Sequence, residues 1–325
     1  MRWRPRSALV PALLAVLAGT AAAQAPDSLV LRLAAMSAVS GLEDAMADSL
    51  LAAVPGSILD RAGNVVWSRG TGDPVRIVLC PMDEVGYVVG RVMPDGYLTL
   101  RRVGTTAMGP LYDQFLEGQR VTVFGRRGAV QGVVGVRSTH LTRGRAVGTD
   151  DPFNLDNAFV DVGATSAAEV TGLGIELLAP VTRAKQPHRY GPGGRLVAAP
   201  AAAARAACAA LISATRRAPA AGGTTVVAFT RRRHYAHDGA SFVLIDRGPA
   251  ATAATIVLLG GTAPAAGMGG GPQVASDSVG AAAGFRPVTT WLLPARYPRT
   301  PVETVSLADV AQLEQRLTAF LGGSQ

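Results

Sequence analysis

Two histidines and two aspartates in one short segment are the residues of this chain best suited to chemistry: His234, His237, Asp238 and Asp246. Imidazole and carboxylate groups are common ligands of zinc and related ions. If the segment is helical, His234 and His237 share one face, because residues three apart are neighbours on a helix. One interpretation is therefore a single ion held by His234, His237 and Asp246, with open positions for water. The alternative, which we favour, is a solvated polar patch beside the arginine run 231–233.

Other arrangements for hydrolysis or phosphoryl transfer are missing from the sequence. It contains no Gly-x-Ser-x-Gly motif of serine hydrolases, no Cys-His nucleophile pair and no phosphate-binding loop. Glu84 stands in a short polar segment after an apolar run, where a carboxylate is typical of a solvated turn. No nucleophile of a known type is therefore predicted.

The composition argues against a nucleic-acid partner although the formal charge is +8. The basic residues are arginines apart from Lys185, and they are scattered among Ala, Gly and Pro. The densest run, 231–234, is short and has no interleaved aromatic side chains on which bases could stack. A length of 325 residues corresponds to one large domain or two of medium size.

The beginning of the chain predicts export. Several arginines precede an apolar stretch, 8–17, and small residues follow it, which is the order of a secretory signal peptide. The apolar stretch is too short to cross about 30 Å of hydrocarbon as an anchor. We predict a signal peptide at 1–25, cleaved between Ala21 and Pro26, and a periplasmic or secreted mature protein without a membrane span.

The two cysteines, Cys80 and Cys208, have two possible states. An oxidising compartment permits a disulfide between them. Each lies in an apolar segment, however, and buried free cysteine is common. The sequence leaves both states open and favours free thiols.

The elements that must position these residues alternate between strands and helices at both ends of the chain. The apolar run Val75–Cys80, bounded by prolines, is typical of a strand buried on both faces. Apolar residues at helical spacing predict helices at 199–216 and 307–321. Further strands are predicted at 224–229, 255–259 and 288–293.

The middle of the chain, 86–182, is rich in Val and Gly and contains several short candidate strands. Such a segment between two α/β segments predicts an inserted domain. The predicted fold class is α/β. Residues 26–85 and 183–325 are predicted to form one domain, with a central mixed β-sheet flanked by helices. The inserted domain at 86–182 is predicted to be β-barrel-like.

Four sets of motifs follow one another along the chain: Ser40–Glu43 (SGLE), Val78–Tyr87 (VLCPMDEVGY), Gly118–Val121 (GQRV) with Phe159–Ser166 (FVDVGATS), and Pro294–Tyr297 (PARY) with Pro301–Glu303 (PVE). The set resembles the glutamyl aminopeptidase, or tetrahedral aminopeptidase, family of metallopeptidases (family 42). Each motif alone is a weak signal, whereas the ordered set is specific.

The resemblance implies a pair of zinc or cobalt ions held by two His, a bridging Asp, a Glu and a second Asp, with another Glu as general base. The matching positions here are Pro81 for the first His, Ala203 for the bridging Asp, Arg233 for the base, His234 for the Glu ligand, Asp246 for the second Asp and Arg299 for the last His. The chain thus resembles a divergent member that lacks most metal ligands. In the family the counterpart of Asp83 orients a metal-bound His, so with Pro81 in place a structural role is predicted for Asp83.

These substitutions predict that no metal cofactor is bound. Two divalent cations repel each other strongly in a cleft of low dielectric constant, and arginine cannot lose its proton to relieve that repulsion. The leading hypothesis is an inactive homologue with a scaffold or binding role, taking a peptide or protein ligand. A residual or altered metal-dependent aminopeptidase is the alternative, and a decaying gene without a selected role is a third. The resemblance also implies a homo-oligomer formed through the inserted domain.

Overall fold

A computed structural model describes residues 26–106, 108–109, 112–135, 153–247, 254–263, 271–277 and 288–323. The predicted signal peptide, 1–25, lies outside these residues. Among the helices that are described, none combines the length and the apolarity needed to cross a bilayer.

The described residues form helices and strands in alternation. The helices are α1 (Pro26–Ala34), α2 (Asp44–Ala53), α3 (Ala167–Gly172), α4 (Ala202–Arg217), α5 (Asp238–Arg247) and α6 (Leu307–Leu321). The strands of the first half are β1 (Ile58–Leu59), β2 (Val65–Arg69), β3 (Val75–Pro81), β4 (Tyr87–Val92), β5 (Leu98–Arg102), β6 (Arg120–Gly125), β7 (Gly128–Val134) and β8 (Val160–Asp161). The strands of the second half are β9 (Pro180–Arg183), β10 (His188–Tyr190), β11 (Leu196–Ala198), β12 (Thr224–Thr230), β13 (Thr255–Ala263), β14 (Gln273–Asp277), β15 (Val288–Arg296) and β16 (Thr304–Ser306).

Ten of the described strands form one mixed sheet in the order β1-β2-β12-β3-β13-β15-β16-β11-β10, with β14 paired to β15. The centre of this sheet is parallel, because β3 runs parallel to both β12 and β13, and β13 runs parallel to β15. Alternate residues of β3 enter different cores: Val78 and Cys80 lie on one face, and Ile77 and Leu79 on the other. This double burial explains why the strand is apolar without alternation.

Helices cover both faces of the sheet. On one face α4 packs against α1, α6 and the central strands. Because α4 is built largely of alanine, which favours helix and has a small side chain, the helix lies close to the sheet and is buried for most of its length. On the opposite face α5 buries Ala240, Val243 and Leu244.

A disulfide joins the sheet to α4. Cys80 in β3 is bonded to Cys208 in α4, and their Cα atoms are 5.8 Å apart. Both cysteines are buried. The interpretation of two free thiols is therefore wrong, because an apolar environment for each cysteine does not report that the two face each other across a helix–sheet interface.

Six strands form a closed barrel in the order β4-β5-β8-β7-β6-β9. The barrel encloses its own apolar core, which includes Tyr87, Leu98, Leu116 and Val121. Closure gives every strand two partners and leaves no edge for unwanted pairing. The predicted fold class, a mixed sheet flanked by helices together with a barrel-like β-unit, is confirmed.

The two units meet beside the centre of the sheet. The chain leaves β3 at Pro81 and enters the barrel at Tyr87, and it returns from the barrel at Arg183. Both crossings therefore lie near the carboxyl end of β3, which is where α/β proteins commonly place a ligand.

Candidate functional site

A pocket of about 340 Å³ lies between the carboxyl ends of β3 and β12 and the barrel. Its volume is at the lower end of the range of small-molecule sites. Six segments line it. Among the lining residues are Asp83, Glu84, Tyr112, Arg183, Lys185, Ala201, Ala204, Arg233, His234, His237, Arg299 and Glu303.

Asp83 connects the ends of the two parallel strands. Its side chain is buried, and its Oδ2 accepts a hydrogen bond from the backbone N–H of His234 at 3.2 Å. Burial raises the pKa of Asp83, and this hydrogen bond and the Arg233 charge oppose the increase. A residue that follows β3 thus holds the segment that follows β12.

His234 is held on its other side by the barrel. Its Nδ1 lies 3.2 Å from the hydroxyl of Thr106, and its carbonyl accepts the backbone N–H of Thr105 at 2.7 Å. Burial, together with the charge of Arg233, lowers the pKa of His234 to about 4. The imidazole is therefore neutral at pH 7.

Glu84 lies at the centre of a buried ion network. Its side chain is only 5 % exposed and pairs with the Nζ of Lys185 and, at 3.4 Å, with the Nη2 of Arg205. Its Oε1 also accepts the backbone N–H of Ala38 at 3.1 Å. Burial alone would raise the pKa of Glu84, but the two adjacent cations lower it below its ordinary value. Glu84 is therefore not the solvated turn carboxylate that the sequence suggested, because two cations that are distant in sequence fold over it.

Glu303 holds the beginning of α4. Its side chain is 3 % exposed, and its Oε1 accepts the backbone N–H of Ala203 at 2.9 Å. The N-cap residue of α4, Ala201, has no polar side chain that could cap the helix. The distant carboxylate of Glu303 therefore accepts one of the free N–H groups at the positive end of α4. Its Oε2 accepts the N–H of Arg299 at 2.9 Å. Burial raises the pKa of Glu303.

Glu43 of the Ser40–Glu43 motif also has a structural task. It is fully buried, and its Oε1 accepts the N–H of Gly41 at 2.8 Å and that of Arg232 at 2.9 Å. Its Oε2 accepts the Nε of Arg231 at 2.8 Å. The motif therefore fixes the backbone immediately before Arg233 and His234.

The structure brings three of the positions assigned by resemblance to the pocket: Arg233, His234 and Arg299. Pro81 is the last residue of β3 and is not part of the lining. Ala203 is buried in the first turn of α4, and its neighbours Ala201 and Ala204 line the pocket in its place. None of these alanines has a metal-binding side chain.

The suggested single-ion cluster of His234, His237 and Asp246 does not form. Asp246 is exposed near the end of α5 and lies outside the lining, because α5 buries Ala240, Val243 and Leu244 and leaves Asp246 on its solvent-exposed face. The segment with the two histidines is not helical, since Ala236 and His237 have φ values of 54° and 58°. A right-handed helix cannot contain such residues.

The donor set of the pocket does not fit two divalent cations. In the part of the chain that the structure describes, no three His, Cys, Asp or Glu side chains form a group that could hold a metal ion. The carboxylates of Asp83, Glu84 and Glu303 are engaged by backbone N–H groups or buried cations. The guanidinium groups of Arg233 and Arg299 would add repulsion to any bound cation.

Sequence reasoning missed three cations at this site: Arg183, Lys185 and Arg205. Arg183 is 9 % exposed and lies over the ring of Tyr112 at 5.4 Å, and Arg205 is 2 % exposed inside α4. Two signals were present. Lys185 is the only lysine of the chain, and Arg205 interrupts an alanine run that otherwise reads as buried helix.

Comparisons with known proteins agree with this architecture. A sequence model of the family described as M42 glutamyl aminopeptidase matches residues 63–273, more than half of the chain. SgcX of Escherichia coli (strain K12), which is named an aminopeptidase, is 34% identical over 152 residues, covering 45% of this chain and 39% of that protein. Lysyl aminopeptidase of Pyrococcus furiosus is 30% identical over 137 residues, covering 42% of this chain and 38% of its own length. The chain thus spans about two fifths of the length of these curated relatives.

Solved structures resemble the fold over nearly the whole length. An aminopeptidase from the archaeon Desulfurococcus kamchatkensis has a TM-score of 0.78 at 20% identity, covering 92% of this chain and 95% of that chain. The TET1 peptidase of Pyrococcus horikoshii has a TM-score of 0.75 at 19% identity, covering 92% of this chain and 100% of that chain. At these identities the likeness concerns the fold.

Proposed function

Because this chain belongs to the M42 glutamyl aminopeptidase family, we propose that it is an aminopeptidase homologue that binds a ligand in the family's pocket without cleaving peptides. One observation carries the proposal. The carboxylates of the pocket are engaged in structural contacts, while arginine and lysine side chains occupy much of its lining.

The chemistry of peptide hydrolysis is the reason that this observation matters. Attack on a peptide carbonyl needs an activated water and a group that accepts its proton. The position that resemblance assigns to the base is Arg233, and a guanidinium cannot accept a proton at physiological pH. Glu303 and Asp83 are committed to holding α4 and the β12 segment.

We expect the protein to contain less than about one divalent ion per chain and to show no turnover of aminoacyl anilides. Elemental analysis of protein purified without a histidine tag, before and after dialysis against zinc or cobalt, measures the first quantity. An anilide assay with and without chelator measures the second. Stoichiometric metal together with chelator-sensitive cleavage would contradict the proposal and favour the residual hydrolase.

We also propose that the protein is exported. The disulfide between Cys80 and Cys208 supports this localisation, because structural disulfides persist in oxidising compartments and are rare in the cytosol. The arginine-rich beginning and short apolar stretch of the sequence support it as well.

Assembly into a homo-oligomer through the barrel is proposed on the behaviour of a structural neighbour. The TET1 peptidase of Pyrococcus horikoshii assembles into a tetrahedron or an octahedral shell. Native mass spectrometry of protein recovered from the periplasm of an expression host examines both proposals together. We expect chains that begin between residues 22 and 26 and a particle mass that is a multiple of the chain mass. A monomer would contradict the assembly, and a chain that begins at Met1 would contradict export.

A further inference from the structure

The pocket carries more positive than negative charge. Among the described residues, the pocket is lined by the cations Arg183, Lys185, Arg233 and Arg299 and by the carboxylates Asp83, Glu84 and Glu303. Arg205 is a fifth cation, because it pairs with Glu84. The imidazole of His234 is neutral at pH 7. Among these side chains the cations therefore outnumber the carboxylates by two. Removing cations from water costs free energy unless an anion balances them.

Two of the cations that line the pocket, Arg183 and Arg299, have donors that no described residue uses, and the Nε of Arg205 outside the lining is also buried without an acceptor. The Nη2 atom of Arg183 is buried without a hydrogen-bond acceptor, although the rest of that guanidinium lies over Tyr112 and its Nε donates to the carbonyl of Phe115. The guanidinium of Arg299 makes no hydrogen bond or ion pair with a described side chain, and only its backbone N–H is engaged, by Glu303. Buried polar groups are normally paired, so the unpaired Nη2 of Arg183 indicates a missing acceptor. The guanidinium of Arg299 is exposed to solvent and is therefore available to a ligand that enters the pocket.

The backbone of Arg299 is held in a conformation that L residues avoid. Its φ is 61°, and that of Tyr297 is 52°. Left-handed backbone costs free energy in residues other than glycine and is retained where surrounding contacts enforce it. Here Glu303 enforces it by accepting the N–H of Arg299. The strained turn places a guanidinium at the rim of the pocket.

We propose that the pocket binds a small oxyanion with two negative charges, such as a dicarboxylate or a phosphate, between Arg183 and Arg299. Guanidinium groups present planar pairs of N–H donors that match carboxylate and phosphate oxygens. A volume of about 340 Å³ admits a ligand of this size. The inference rests on the proposed function, because it requires that the family's metal site is used for binding instead.

Isothermal titration calorimetry of the full chain with inorganic phosphate and with succinate tests the inference. All titrations contain EDTA, so that metal ions cannot bridge the anion, and sodium chloride keeps the ionic strength constant. Arg299→Gln removes the exposed guanidinium, and Arg299→Lys keeps its charge but not its planar pair of donors. Arg61→Gln is the matched control, because Arg61 is exposed and lies outside the pocket.

We expect saturable binding of at least one of the two anions at one site per chain. Arg299→Gln should weaken it by about tenfold or more, since a charge-assisted hydrogen bond is lost. Arg299→Lys should weaken it less, and Arg61→Gln should leave it unchanged. Preference for phosphate assigns the ligand to the phosphate esters and preference for succinate to the dicarboxylates, and either supports the inference. The absence of saturable binding, or an equal loss in Arg61→Gln, overturns it.

Metal analysis of the same preparations separates the two levels of the argument. If the protein contains no metal and binds neither anion, this inference is refuted and the proposed function still stands. Stoichiometric metal with peptide cleavage refutes the proposed function itself.

Discussion

Replacing Glu84 by glutamine is expected to lower the free energy of unfolding by about 3–5 kcal/mol, the range for breaking a buried ion pair from one side. The side chain of Glu84 is 5 % exposed and that of Lys185 is 7 % exposed, so water cannot hydrate the lysine charge when the carboxylate is removed. Glutamine has nearly the same shape. The variant therefore isolates the cost of leaving Lys185 and Arg205 buried without their counter-charge. Urea denaturation at pH 7 measures the difference.

A second substitution distinguishes an unpaired charge from a general packing defect. Burial lowers the pKa of Lys185, an effect that Glu84 opposes, so the lysine is costly to bury without its partner. In the double variant Glu84→Gln/Lys185→Met, Lys185, one of the two cations left without a counter-charge, is replaced by an apolar side chain of similar length. This double variant should be more stable than Glu84→Gln alone, because removing both partners of a buried pair is often close to neutral.

Glu176→Gln provides the surface control. Its partner Arg126 is 79% exposed and Glu176 itself is 50% exposed. We therefore expect no substantial change in stability, because exposed ion pairs contribute little. If Glu84→Gln is as stable as the wild type, or if the double variant is less stable than the single one, Glu84 does not stabilise the fold by balancing the two buried cations.

The effect of Glu84→Gln should also depend on pH in one direction. The folded protein lowers the pKa of Glu84 below its ordinary value of 4.5. A carboxylate of this kind contributes its full stability above the unfolded pKa, and the contribution is lost as pH falls through the folded pKa. The gap between wild type and Glu84→Gln should therefore be constant near neutral pH and narrow below about pH 4.5.

Removing the disulfide with Cys80→Ala/Cys208→Ala is expected to lower stability by about 2–5 kcal/mol. The bond joins residues that are 128 positions apart, so its loss frees a long loop in the unfolded chain. For a protein of this size the midpoint of thermal unfolding should fall by about 3–8 °C. Differential scanning calorimetry measures this shift.

The reduced wild type provides the matched comparison for the disulfide. Because both cysteines are buried, the bond must be reduced under unfolding conditions before refolding in reductant. Reduced protein and the double variant should show similar midpoints if the covalent link is responsible. Two alkylatable thiols in protein unfolded without reductant would show that the bond is missing.

The sequence alone determined the architecture and the family. The apolar run of β3 and the alanine-rich α4 have local causes, because burial on two faces and helix propensity both act on neighbouring residues. The insert between them was visible as a change in composition. The motifs Ser40–Glu43 and Pro301–Glu303 pointed to the right family for a reason that the structure explains: each supplies a carboxylate that holds backbone beside the pocket.

Only the tertiary structure decided which side chains share the pocket and what their charges do. Lys185 lies 101 residues from Glu84 and Cys208 lies 128 from Cys80. Nothing in the local pattern of either segment specifies its partner. The same limit explains Asp246, which the family resemblance matched to a metal ligand but which lies exposed on α5. Local periodicity sets which face of an element is apolar, whereas the meeting of strand ends, helix start and barrel depends on how the elements pack. That packing places Arg183 and Lys185 in the same pocket as Arg233 and Arg299.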